Sequence, residues 1–313
     1  MTERKSFIKT YLPSFAPILG LILVIVVFNI LSDGRMLTLR NARMIINQIF
    51  PIIVCSIGAV FYWAWGVFDL SVAGILGCTT IFTALIVNTG NMWLALIVAI
   101  LVACAFCVAS AFVGTFSGIP IFLASLCFMF ITNGILTAYT NKHIIVIDGD
   151  FDAINTMEVK LAIIIGLGLV AWFLFNFTAL GKSCRLMGGN EKAAKFSGIK
   201  VNKIKIISFI IAGVCIGVAS FFLTMRIGKV DYQTGAGVQF DVITALVFGG
   251  MPFGGGRHAK VSNAIIGSFT YVCLSNGLQL AGVPYNFIAL VNGIVFLIVV
   301  YLSFPKSKDK LLP

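Results

Sequence analysis

The chain has 313 residues, of which 59% are apolar and 11% charged, with a net charge of +11. Soluble domains run at about 45–50% apolar and about 25% charged. These proportions exclude an ordinary soluble core, and the length fits about ten spans of about 20 residues with no room for a separate soluble domain. Basic residues sit between apolar runs, so the positive-inside rule accounts for them and no nucleic-acid partner is expected.

In chain order, Arg4, Lys5 and Lys9 precede an apolar run over 14–31. That run is longer than the apolar region of a signal peptide, and Ser32-Asp33-Gly34-Arg35 is a poor cleavage site, so it is read as a retained first span. Further runs follow at 44–66, 72–87, 92–114, 120–138, 159–178, 206–225, 241–253, 261–280 and 284–303. In hydrocarbon the backbone must bond to itself, so these are helices or broken, cavity-lining helices. The third and eighth runs are short, and Gly249-Gly250-Met251-Pro252-Phe253-Gly254-Gly255-Gly256 interrupts the eighth. Interruptions of this kind lie near transport pathways, which makes Gly249, Gly250, Gly254 and Gly255 a candidate gating segment.

The expected architecture is therefore an all-α polytopic membrane protein of about ten helices, some short or broken, in one transmembrane domain. Its halves cover about 1–140 and 155–305, with a basic loop over 179–205 between them. A weak repeat links the halves: Phe68-Asp69-Leu70-Ser71-Val72-Ala73 through Gly77 against Phe240-Asp241 through Ala245 and Gly249. Five spans per half would insert the second half inverted. Both termini would be cytoplasmic, on the face carrying Lys182, Arg185, Lys192, Lys195, Lys200, Lys203, Lys205, Arg257, Lys260, Lys306, Lys308 and Lys310, with Asp148, Asp150, Asp152 and Glu158 opposite. Arg35, Arg40 and Arg43 fall on the external face against that rule.

The basic loop contains the most informative segment. Asn190 is a good N-cap, Glu191 suits the positive end of a helix and Gly198 suits a left-handed C-cap, giving a two-turn helix between spans. Its small residues, Ala193 and Ala194, would let another protein approach closely; a solvated basic loop near lipid headgroups is the other reading of the same residues.

The run Gly188-Gly189-Asn190-Glu191-Lys192-Ala193-Ala194-Lys195-Phe196-Ser197-Gly198-Ile199 resembles the coupling helix of bacterial ABC importer permeases, particularly the ribose-type sugar permeases. Asp69-Leu70-Ser71-Val72, Phe248-Gly249-Gly250 and Ser275-Asn276-Gly277-Leu278-Gln279-Leu280-Ala281-Gly282-Val283 are similar to that family's motifs in order and spacing. Met251-Pro252-Phe253 and Arg257-His258-Ala259-Lys260 depart from its smaller, more polar residues, which bears on substrate class. The resemblance implies an importer subunit in the bacterial cytoplasmic membrane that pairs with a second copy or paralogue. A separate ATPase subunit would bind ATP and grip Gly189, Asn190, Glu191, Ala193, Ala194, Ser197 and Gly198, and an extracytoplasmic solute-binding protein would deliver a monosaccharide-like solute.

Other patterns carry less. Gly181-Lys182-Ser183 mimics the end of a phosphate-binding loop, but the position of its first glycine holds Asn176. Gly166-Leu167-Gly168-Leu169-Val170-Ala171 lies inside a span and reads as helix packing. No cofactor is therefore expected in this chain. Of the eight cysteines, only Cys184 lies in a basic loop; Cys104 and Cys107 form a C-x-x-C in apolar helix, and no disulfide framework or metal site is expected. Gly213-Val214-Cys215-Ile216-Gly217 permits close helix approach, within one subunit or between two.

Carboxylates are confined to tails, loops and span ends, with Asp69 and Asp241 nearest to exceptions, which argues against proton coupling. An ion-coupled secondary transporter of a small neutral solute is the alternative. Candidate solute contacts are the polar and aromatic residues of the spans: Asn47, Gln48, Tyr62, Trp63, Trp65, Asp69, Thr132, Asn133, Asn276, Gln279, Asn286 and Asn292.

Overall fold

A computed structural model describes residues 2–141, 144–147, 149, 151 and 154–303. Asp148, Asp150, Asp152, Lys306, Lys308 and Lys310, used above for orientation, lie outside the described residues. The helices run α1 (Thr2–Leu31), α2 (Leu39–Trp63), α3 (Ser71–Val87), α4 (Met92–Phe116), α5 (Ile121–Thr140), α6 (Met157–Phe177), α7 (Ala179–Gly189), α8 (Glu191–Phe196), α9 (Val201–Ile227), α10 (Val238–Phe248), α11 (Val261–Leu280) and α12 (Tyr285–Ser303). Each apolar run of the sequence falls on one of these helices, except that the eighth run leaves its helix after Phe248.

Local chemistry sets the boundaries. Thr38, Asn91 and Thr156 accept from the backbone N–H groups of Asn41, Leu94 and Val159, capping α2, α4 and α6. Those first-turn N–H groups have no partner inside the helix, so a side-chain oxygen at each start stabilises it. Pro120 precedes α5, and Gly228 closes α9 in the left-handed region with φ 69°.

Among the described residues, five helices, α2, α4, α5, α6 and α9, are long and apolar enough to cross a membrane. α1, α3, α10 and α12 contribute shorter apolar stretches over Phe15–Leu31, Ser71–Val87, Val238–Phe248 and Phe287–Tyr301. The apolar windows of α2 and α9 are 83% and 72% buried, against 28% for α4, α5 and α6, so the first two form the centre and the others the periphery. Large side chains such as Leu101, Phe130, Ile165 and Phe173 face outward, as a bilayer or a second membrane subunit permits.

Small residues bring α4 and α9 together. Ala95, Ala99, Ala103, Cys107 and Ala111 recur every four residues and are wholly buried, forming one face of α4. A Cβ on Gly213 would crowd the Cys104 backbone, and one on Gly217 would crowd Ile100. The G-x-x-x-G motif is thus used inside this chain, against α4, where the backbones approach closely.

Helix partners exchange in a regular way. α4 packs on α9 as α11 packs on α2, α3 packs on α4 as α10 packs on α11, and α3 contacts α9 as α10 contacts α2. α5 sits beside α3 and α4 as α12 sits beside α10 and α11. Only α1 and α6 break the pattern: α1 lies on α11, whereas α6 lies chiefly on α2. At one end of the bundle a short ladder, β1 (Ile145–Val146) with β2 (Lys229–Val230), joins the loop before α6 to the loop after α9.

Candidate functional site

At the opposite end, α7 and α8 project from the bundle. Thr178 caps α7 by accepting from Leu180 N–H, and Asn190 caps α8 by accepting from Ala193 N–H at 3.0 Å. Glu191 occupies the first turn of α8, where the helix dipole favours a negative charge. Gly198 follows with φ 84°, and Ile199 N–H returns to the Ala194 carbonyl at 3.2 Å, closing the helix as its sequence predicts.

An ion pair helps tie α8 to the bundle. Lys205, on α9, places Nζ 2.8 Å from Glu191 Oε1 and 5.4 Å from the centre of the Trp65 ring. Trp65 is buried just after the end of α2. The ion pair, with its cation over an indole face, therefore connects α8, α9 and the end of α2. Ala194 faces inward and is buried, while Ala193, Lys192, Lys195, Ser197 and Gly198 face outward. The expectation that both alanines present a docking surface is corrected for Ala194: it anchors α8, because a short helix needs an apolar side to hold its place. Phe196 stands out instead, 91% exposed. An aromatic residue flanked by Lys192, Lys195 and Lys200 is the signal in the sequence that marks this exposed face.

Beneath α7 lies the glycine-rich segment. Trp63 Nε1 donates to the Pro252 carbonyl at 2.9 Å, and Gly256 N–H donates to the Ala64 carbonyl at 2.7 Å. A Cβ on Gly188 would collide with the Ala64 carbonyl and Gly256 N, and one on Gly255 with the carbonyls of Ala64 and Trp63. Gly249 lies as tightly on the Asn263 carbonyl, and Gly250, with φ 76°, abuts Pro17; Gly254 has open space around its Cα. The end of α2, the end of α7 and this loop thus meet backbone to backbone, which leaves little slack for one to move without the others. Trp63, proposed above as a solute contact, spends its indole N–H on this junction, whereas Trp65 is buried beside Lys205 and Phe209 with its Nε1 unpaired.

The remaining span candidates are not brought together. At the β1–β2 end, Asn47 Oδ1 accepts from Lys160 Nζ at 2.5 Å, and its backbone carbonyl accepts from Arg226. Asn47 therefore holds two cations beside a cavity of about 330 Å³ lined by Arg43, Asn47, Asn155, Thr156, Met157 and Glu158. Gln48 is half-buried. Asp69 Oδ1 accepts from the Ser71 backbone N–H at 2.8 Å and its hydroxyl at 2.5 Å, so it caps α3 from a buried position. Asn133 is exposed halfway along α5, and Gln279 is exposed near the end of α11. Asn276 is buried with its Oδ1 unpaired; Asn286 carries a side chain outside the described residues.

A different polar group links α10, α11 and α12. Tyr271 donates its hydroxyl to Asp241 Oδ1 at 2.5 Å, and Asn292 Nδ2 donates to Ser275 Oγ at 2.8 Å. The spacing of thirty residues between Asp241 and Tyr271 hides this pairing from any local motif.

The family model described as "Branched-chain amino acid transport system / permease component" matches residues 41–300. The chain is 28% identical to the ribose import permease protein of Escherichia coli (strain K12), over 98% of each chain. It is 29% identical to the ribose import permease protein of Bacillus subtilis (strain 168), over 93% of this chain and 92% of the relative. Its identity to the D-allose transport system permease protein of Escherichia coli (strain K12) is 27%, over 93% and 92%. No solved structure matches the chain. The chain thus belongs to this family of transport permease components, as its ribose-type ABC importer motifs indicated, and is a multi-pass membrane transport subunit rather than an enzyme.

Proposed function

We propose that the chain is the membrane-spanning subunit of an ATP-binding-cassette importer that carries a monosaccharide-like solute into the cytoplasm, with ATP bound and hydrolysed by a separate subunit. The observation that carries this reading is α8: a capped helix outside the apolar bundle, presenting Phe196 and Ala193 outward and braced by Glu191, Lys205 and Trp65. A push on such a helix reaches α9 and α2 through the ion pair, and the glycine junction passes it to the α10–α11 loop. Relatives named for ribose, allose and arabinose transport support the solute class.

Ten spans in two inverted halves fit the exchange of helix partners, with α1 and α6 as the departures. In this arrangement α7 and α8 face the cytoplasm with both termini, and the cavity beside Asn47 faces outward. The permease is a single domain over 1–313, acting with a second copy or paralogue, a solute-binding protein and surrounding lipid. The glycine segment over 249–256 serves as the gate, moving with the junction.

Two variants test the coupling role. Ala193→Trp and Phe196→Asp should each abolish uptake and capture of the ATPase subunit while leaving membrane insertion and detergent-extracted yield intact. Normal uptake by both would overturn the coupling assignment. Uptake that persists without ATP and collapses with an ionophore would replace the importer reading with ion coupling.

A further inference from the structure

Asp241 is a half-buried carboxylate in the first turn of α10, and among the described residues no cation pairs with it. A carboxylate among apolar spans is costly, and such residues mark solute or ion paths. α10 has only 11 residues and is flanked by irregular segments on both sides, the setting in which transporters bind solute.

The groups around Asp241 are those that recognise hydroxyls. Its Oδ1 is held by the Tyr271 hydroxyl, and nothing among the described residues donates to its Oδ2. Ser275 and Asn292 also interact with Tyr271. Asn292 is buried, its amide nitrogen spent on Ser275, and its Oδ1 has no donor. A buried acceptor without a donor carries a desolvation cost that an incoming hydroxyl would offset. Asp241 Oδ2 and the buried Asn292 Oδ1, one on a carboxylate and one on an amide, are acceptors that the hydroxyls of a polyol would satisfy. The Tyr271 ring adds an aromatic surface, 6.4 Å from Phe248.

We infer that Asp241, Tyr271 and Asn292 form a solute-recognition site for the hydroxyls of a monosaccharide, at the junction of α10, α11 and α12. The inference rests on the importer reading above. Asp241 Oδ2 and Asn292 Oδ1 accept from the sugar, while Tyr271 orients the carboxylate.

The test uses the assembled importer with D-ribose, D-allose and L-arabinose as probes, comparing saturated uptake rates. These sugars differ in ring hydroxyl configuration, so loss of one acceptor changes their relative rates, whereas a merely structural defect lowers all three together. Asp241→Asn should shift the ratio between the best and next-best sugar about tenfold, the effect of one hydrogen bond to a charged group, and Asn292→Leu and Tyr271→Phe should shift it in a smaller but resolvable way. Should Asp241→Asn fail to insert, Tyr271→Phe keeps the ring and gives the same readout. Unchanged ratios in all inserted variants overturn this site alone. A wild-type importer that carries none of the three sugars overturns the solute class, and the site's assigned ligand with it.

Discussion

The short helices α3 and α10 open with the same residues, Phe-Asp, yet they put them to opposite uses. Before α3, Phe68 packs edge-on to Trp63 with centroids 4.4 Å apart and lies 5.9 Å from Phe253. Asp69 turns back so that its Oδ1 accepts from Ser71 at the start of its own helix, and Leu70 N–H donates to Ser125 on α5 at 3.1 Å, while the buried Asp69 Oδ2 has no donor among the described residues. In α10 the pair falls inside the helix: Phe240 is 61% exposed and Asp241 reaches across to Tyr271. The shared glycines both lie against backbone, since a Cβ on Gly77 would strike the Thr234 carbonyl and one on Gly249 the Asn263 carbonyl. The repeated glycines therefore each admit a neighbouring backbone, the loop before α10 at Gly77 and α11 at Gly249, while the aspartates differ in their partners, Ser71 within the same turn for Asp69 and Tyr271 on another helix for Asp241.

The largest expected effect tests the shared part. A Cβ on Gly267 would run into the Ala245 carbonyl of α10, so Gly267→Leu should part α10 from α11. Forcing bulk against backbone costs about 3 kcal/mol or more, and the variant should be lost from detergent-extracted protein or melt far below wild type. A wild-type melting temperature would mean that the helices are not in close contact. The next effect separates the two phenylalanines. Phe68→Ala should lower stability by about 2 kcal/mol, since the ring is half-buried in an aromatic cluster, whereas Phe240→Ala should change it by less than about 0.5 kcal/mol. Equal losses in thermal unfolding would erase the contrast between the two turns. The smallest separates the aspartates: Asp69→Ala should cost about 1 kcal/mol through loss of a helix cap and leave the ratios of sugar uptake unchanged. A changed ratio would move the solute site to the first half.

Much of the secondary structure was legible because hydrocarbon leaves the backbone few choices, so apolar runs mark helices and capping residues mark their ends. α8 was legible for the same local reason: Asn190, Glu191 and Gly198 act within one turn of their own positions. The candidate solute contacts were less so. Trp63 and Asn47 read as free polar or aromatic groups in a span, but Trp63 donates to Pro252 and Asn47 receives Lys160, partners 189 and 113 residues away.

The sequence by itself determined that this protein is a bundle of apolar helices with a short capped helix in a basic loop, since each of those properties depends on composition and on neighbours within a turn or two. Only the tertiary structure decided which side of that helix faces out, which glycines admit a neighbouring backbone, and which partner each aspartate meets. Those outcomes depend on side chains far apart in the chain meeting at one place, and no local pattern of residues encodes such a meeting.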